Sequence, residues 1–135
     1  MNSRLIMTLS AILMFIAGVV LIFSPHEIAQ MLVPDAGGGI TIVFQMLGAL
    51  FFGFGMLNWM ARGSIIGGIY SKPVSLANFS HYLIGALALI KALLRDPLLP
   101  ASLWAGAAVY RVFAVLFWLI LSRHPGQPKG SGQGL

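Results

Sequence analysis

Residues 40–61 read ITIVFQMLGALFFGFGMLNWMA, a run that holds no charge and whose polar side chains are Thr41, Gln45 and Asn58. A segment of this length and composition matches the ~20 apolar residues that carry an α-helix across the hydrocarbon of a bilayer. A helix pairs all its own backbone groups, and hydrocarbon offers them no other partner. Working outward, comparable apolar blocks fill 5–23, 74–94 and 101–121. Barrel strands would instead show segments of about 10 residues with alternating polarity. The expected fold is therefore all-α: a polytopic membrane protein with a four-transmembrane-helix bundle over 1–122. Residues 123–135, RHPGQPKGSGQGL, lack apolar content to bury and are predicted to form a disordered cytoplasmic tail.

Composition supports the membrane reading. Of 135 residues, 59% are hydrophobic and 8% charged, against about 25% charged in an ordinary soluble domain. Too few charges are present to cover a water-soluble surface. The first block exceeds the usual signal-peptide core of about 7–15 residues and is followed by no A-x-A site, so it is read as a retained span. The absence of cysteine excludes disulfides, thiolate metal sites and cysteine nucleophiles. The net charge of +5 comes from residues scattered between apolar blocks rather than gathered in a stripe. This argues against nucleic acid and for membrane lipids as partners of the basic side chains.

The basic residues also orient the chain. Arg4, Arg62, Lys72, Arg123 and Lys129 fall on one side of a four-span arrangement, with Lys91 and Arg95 on the other. The excess predicts that both termini are cytoplasmic. Trp59, Tyr70, Trp104 and Trp118 sit near span ends, where interfacial aromatics gather. On the outer side, a short amphipathic turn is expected at 28–33, bracketed by Pro25 and Pro34, and a tight turn at 96–100 carries Pro97 and Pro100. On the inner side, Ile65, Ile66, Ile69 and Tyr70 are expected to rest in the interface.

Familiar chemical motifs fail here. His26-Glu27-Ile28-Ala29-Gln30 is one residue from the H-E-x-x-H zinc signature, but Gln30 replaces the second histidine. Gly53 and Gly55 begin like a dinucleotide loop, yet lie inside a span and lack the third glycine. No carboxylate falls within any block, which removes acid/base pairs and the usual proton-relay acids. The chain reads as a non-enzyme with no catalytic residue, metal or cofactor.

The polar residues inside the blocks form two groups of candidate ligand-binding residues. Arg111 stands at the middle of 101–121, where a guanidinium costs about 2.5–3.5 kcal/mol on insertion scales. It is expected to face the interior, on a stripe with Trp104, Ala107, Ala108, Ala114, Val115 and Trp118, with Gln45 as the intramembrane acceptor at similar depth. There it either fixes helix register or meets an anionic or polar ligand. The second group is Asn78 and His81 on one face of 74–94, with Asn58, Thr8 and Ser10 at comparable depth. These serve either as interhelical hydrogen-bond glue or as an inner vestibule where His81 contacts a ligand headgroup. Ala49/Gly53, Ala88/Ala92 and Ala101/Ala105 are small-x-x-x-small pairs that predict close helix packing.

The stretch LGALFFGFGMLNWMARGS, with GGIYSKPVSLANFSHYLIGALALIK after it, resembles the middle of uncharacterised small four-span bacterial inner-membrane proteins. The resemblance rests on the glycines, Asn58-Trp59 and Asn78…His81, and implies a bacterial inner (plasma) membrane location. Small multidrug exporters share the size, but their intramembrane glutamate has no counterpart in 5–23. Two function classes remain. One is an accessory, scaffold or lipid- and small-ligand-binding bundle, alone, as a homo-oligomer or within a larger membrane complex. The other is a small oligomeric transporter or channel for an anionic or polar solute using Arg111.

Overall fold

The computed structural model describes residues 2–35, 37–63 and 71–122. Among them the only regular structure is helix: α1 (Ser3–Phe23), α2 (Pro25–Leu32), α3 (Gly39–Ala61), α4 (Ser71–Arg95) and α5 (Ser102–Ser122). All but α2 are long and apolar enough to span a membrane, so the protein is an all-α integral membrane bundle. The tail after Ser122, and the expected interfacial Ile65, Ile66, Ile69 and Tyr70, lie outside the described residues.

Local chemistry sets the helix ends. Asn2 caps α1, its Oδ1 accepting from the backbone N–H groups of Arg4 at 3.1 Å and Leu5 at 3.3 Å. Pro25 takes the first position of α2, where its missing N–H costs nothing. The expected turn at 28–33 is thus a two-turn helix that begins on Pro25 rather than after it. Between α4 and α5, Asp96 Oδ1 accepts from the Leu98 N–H at 2.9 Å, and Pro97 keeps the helix from continuing.

The long helices form two antiparallel pairs. α1 lies along α3 and α4 along α5, while α2 folds back onto α3. One end of the bundle, here called proximal, carries the start of α1 and α4 and the close of α3 and α5; the other end is distal. The pairs meet over a short proximal patch, where Ile6, Met7 and Met14 of α1 bury against Tyr82, Phe117 and Ile120. Tyr82 is the centre of this core, stacked between Phe113 at 4.9 Å and Phe117 at 5.8 Å.

Close approach within the α1–α3 pair depends on glycine. A Cβ on Gly18 would stand 2.8 Å from Phe52 N and 2.9 Å from Gly48 O, and one on Gly48 would stand 2.9 Å from Gly18 O. The expected small pairs are not those in use: Ala49, Gly53, Ala88, Ala92, Ala101 and Ala105 are all exposed. On α3 the stripe that meets α1 runs through Gly48 and Gly55, and Ala49 and Gly53 are turned away from it.

Candidate functional site

Where the two pairs touch, a closed set of side-chain hydrogen bonds joins three helices. Asn58 of α3 and Asn78 of α4 face each other as amides. Asn58 Nδ2 donates to Asn78 Oδ1 at 2.8 Å, and Asn78 Nδ2 donates back to Asn58 Oδ1 at 2.6 Å. The second Asn58 proton goes to Ser10 Oγ of α1 at 2.9 Å, and the second Asn78 proton to the Val74 carbonyl at 2.9 Å. Ser10 Oγ and the Tyr82 hydroxyl lie 2.7 Å apart. Ser10, Asn58, Asn78 and Tyr82 are completely buried. Both amides thus use both protons, and no buried side-chain nitrogen or oxygen among the described residues lacks a partner. Such a set is a clamp: it commits both amide protons of Asn58 and of Asn78 to partners inside the bundle. Thr8, placed with this group on depth alone, bonds instead to the Arg4 carbonyl of its own helix at 2.7 Å.

His81 follows the clamp on the distal side. It is half-buried, with Nε2 3.3 Å from the Tyr110 hydroxyl and its ring stacked on Phe54 at 5.2 Å. The Tyr110 ring fills the notch left by Gly85, where a Cβ would stand 2.5 Å from Cε1. Beyond this polar pair a cleft of about 600 Å³ opens between α3 and α4. Its walls are Leu47 and Phe51 of α3 and Ile84, Ala88 and Ala92 of α4, so His81 and Tyr110 form a polar floor under apolar walls.

The remaining candidates lie elsewhere. Arg111 is exposed rather than interior. The inward side of α5 is taken by Ala107, Ala114 and Phe117, which bury against α4 and α1, whereas Trp104, Arg111 and Trp118 occupy the outward side. Gln45 is exposed on α3, whose backbone does not come close to that of α5, so the expected Arg111–Gln45 pairing does not form. Arg111 instead opens onto outer grooves on either side, together with Trp118, Val112 and Val115.

Tyr82 and Tyr110 are the site residues that sequence reasoning missed. A hydroxyl near mid-span, away from the interfaces where tyrosine is common, needs a hydrogen-bond partner in hydrocarbon. Their positions beside His81 and Arg111 were the available signal. Among the described residues no three His, Asp or Glu side chains converge on a metal-binding geometry. His26 and Gln30, the remnant of the zinc-like motif, bond to each other at 3.0 Å. The chain matches no family model, no curated protein and no solved structure.

Proposed function

We propose that this is a non-enzymatic bacterial inner-membrane protein that binds an amphiphile, housing an apolar chain in the distal cleft with one polar group on His81 and Tyr110. The observation that carries this reading is the size and lining of the cleft. About 600 Å³ falls inside the roughly 300–1,000 Å³ of small-molecule sites, which combine apolar walls with few convergent polar groups. The clamp supports it by holding the two pairs together on the proximal side of the cleft. A conduit for anions through the bundle loses its main support, because Arg111 stands on the outer surface.

Ala88 is exposed on the cleft wall, so Ala88→Phe should fill the space without disturbing the helix pairs. Native mass spectrometry from mild detergent should show a co-purified lipid or amphiphile on the wild type and none on Ala88→Phe, with equal melting temperatures. Tyr110→Phe, which removes one floor hydroxyl, should weaken retention without abolishing it. Equal ligand content in wild type and Ala88→Phe would sink the proposal.

The same reading places both termini in the cytoplasm, supported by the basic residues near the proximal end, Arg4, Arg62 and Lys72. Arg62 stacks over the Trp59 ring, 3.1 Å from its centroid, a pairing suited to the headgroup region. Reporter fusions after Leu121 and within 24–39 should give cytoplasmic and periplasmic signals respectively. A periplasmic signal from the C-terminal fusion would invert the orientation.

A further inference from the structure

Arg111 occupies an unusual position for a charge, exposed on the outward side of α5. It lies nine residues from Ser102 and eleven from Ser122, so along the helix axis it is about 13 Å from one end of α5 and about 16 Å from the other. That is the centre of a hydrocarbon layer ~30 Å thick, far from the phosphates of either leaflet. Around it, the outward face is apolar and grooved. A groove of about 340 Å³ runs along Phe79, Leu83 and Ile90 of α4, and a second of about 420 Å³ along Val112 and Val115 of α5; Arg111 lines both.

Lipid tails would fill the grooves but leave the charge unmatched. A second copy of this chain does no better: its acids, Glu27, Asp35 and Asp96, all lie outside the spans, and apposing the same faces would set Arg111 against Arg111. Charges within membranes pair with one another, and the planar guanidinium fork is shaped for a carboxylate. We infer that the Arg111 face of α4 and α5 docks a transmembrane helix of a different protein, one that carries an aspartate or glutamate at mid-membrane depth. This surface is separate from the distal cleft, and its occupant is independent of the amphiphile.

The test uses the full-length protein in phosphatidylcholine vesicles and a polyleucine transmembrane peptide with one central aspartate, against the same peptide with leucine there. Energy transfer between labelled protein and peptide should show the aspartate peptide binding at least roughly tenfold more tightly, a difference of about 1.4 kcal/mol. Arg111→Lys should keep part of that preference and Arg111→Leu should remove it. Because Arg111 is exposed, Arg111→Leu should melt in detergent like the wild type, which shows that the lost preference is not lost folding. Equal binding of both peptides by the wild type overturns the inference. So does Arg111-dependent transfer between two labelled copies of this chain. An Arg111-dependent preference for phosphatidylglycerol, with no discrimination between the peptides, assigns the charge to a lipid phosphate and overturns it as well. In native membranes, a photoreactive residue at Val115 should capture a protein whose intramembrane acid, changed to leucine, abolishes the crosslink; capture of this chain itself counts against the partner.

Discussion

Asn58→Leu is expected to lower the unfolding free energy in mixed micelles by about 2–4 kcal/mol, a severe loss for a small membrane protein. The substitution removes the donors to Ser10 and Asn78 and the acceptor for Asn78 Nδ2. Each membrane hydrogen bond contributes roughly 0.6–2 kcal/mol. The larger effect comes from Asn78, which is completely buried and whose amide keeps only the Val74 carbonyl. A buried group so stranded costs about 1–3 kcal/mol. The double variant Asn58→Leu/Asn78→Leu should therefore be less destabilised than the sum of the two single variants, because neither amide is left behind. Ser10 and Tyr82 would still satisfy each other at 2.7 Å. Simple additivity in that cycle would show that the two amides do not act as a unit.

Gly18→Val should separate α1 from α3 and destabilise by the upper part of the about 1–3 kcal/mol usual for overpacking. The obstacle is backbone: the new Cβ would meet Phe52 N at 2.8 Å and Gly48 O at 2.9 Å, and neither atom can rotate aside. Gly48→Val should act similarly from the other side, against Gly18 O and the Leu21 and Ile22 side chains. Gly53→Ala is the control. Nothing lies within 4 Å of a Cβ there, so it should be neutral, or stabilising by up to about 1 kcal/mol through helix propensity. Thermal melts in one detergent would rank the three, and a Gly18→Val protein melting like Gly53→Ala would disprove the close approach.

The number and character of the helices were legible because run length alone answers the bilayer's demand for a paired backbone. The depth grouping of Ser10, Asn58 and Asn78 was legible too, since rise per residue maps sequence to depth. What could not be read was rotation about each helix axis. In a soluble bundle a polar face marks the outside; here lipid and core are both apolar, so Ala49 and Gly48 look equivalent although one faces out and the other touches Gly18. The same ambiguity misplaced Arg111. Its supposed stripe mixed the inward Ala107 and Ala114 with the outward Trp104 and Trp118, and the general rule that charges turn inward chose the wrong side. Tyr82 escaped notice because a tyrosine in a run of leucines and alanines looks like one more bulky apolar residue until its hydroxyl partner is placed.

The bonds of the clamp differ widely in the length of chain they close, and this has a consequence during synthesis. Ser10 and Asn58 are 48 residues apart, Asn58 and Asn78 only 20, and Ser10 and Tyr82 span 72. The first two long helices leave the ribosome before the last two and can associate through Gly18 and Gly48 without them. At that moment Asn58 has Ser10 as a partner, but its carbonyl oxygen and second proton point at hydrocarbon. They wait there until α4 arrives with Asn78 and a matching amide. The nascent amino-terminal hairpin therefore enters the bilayer carrying an unmet demand, which only the correct following helix, at the correct depth and rotation, can answer. The amide pair thus ties docking of the second hairpin to one depth and rotation against the first.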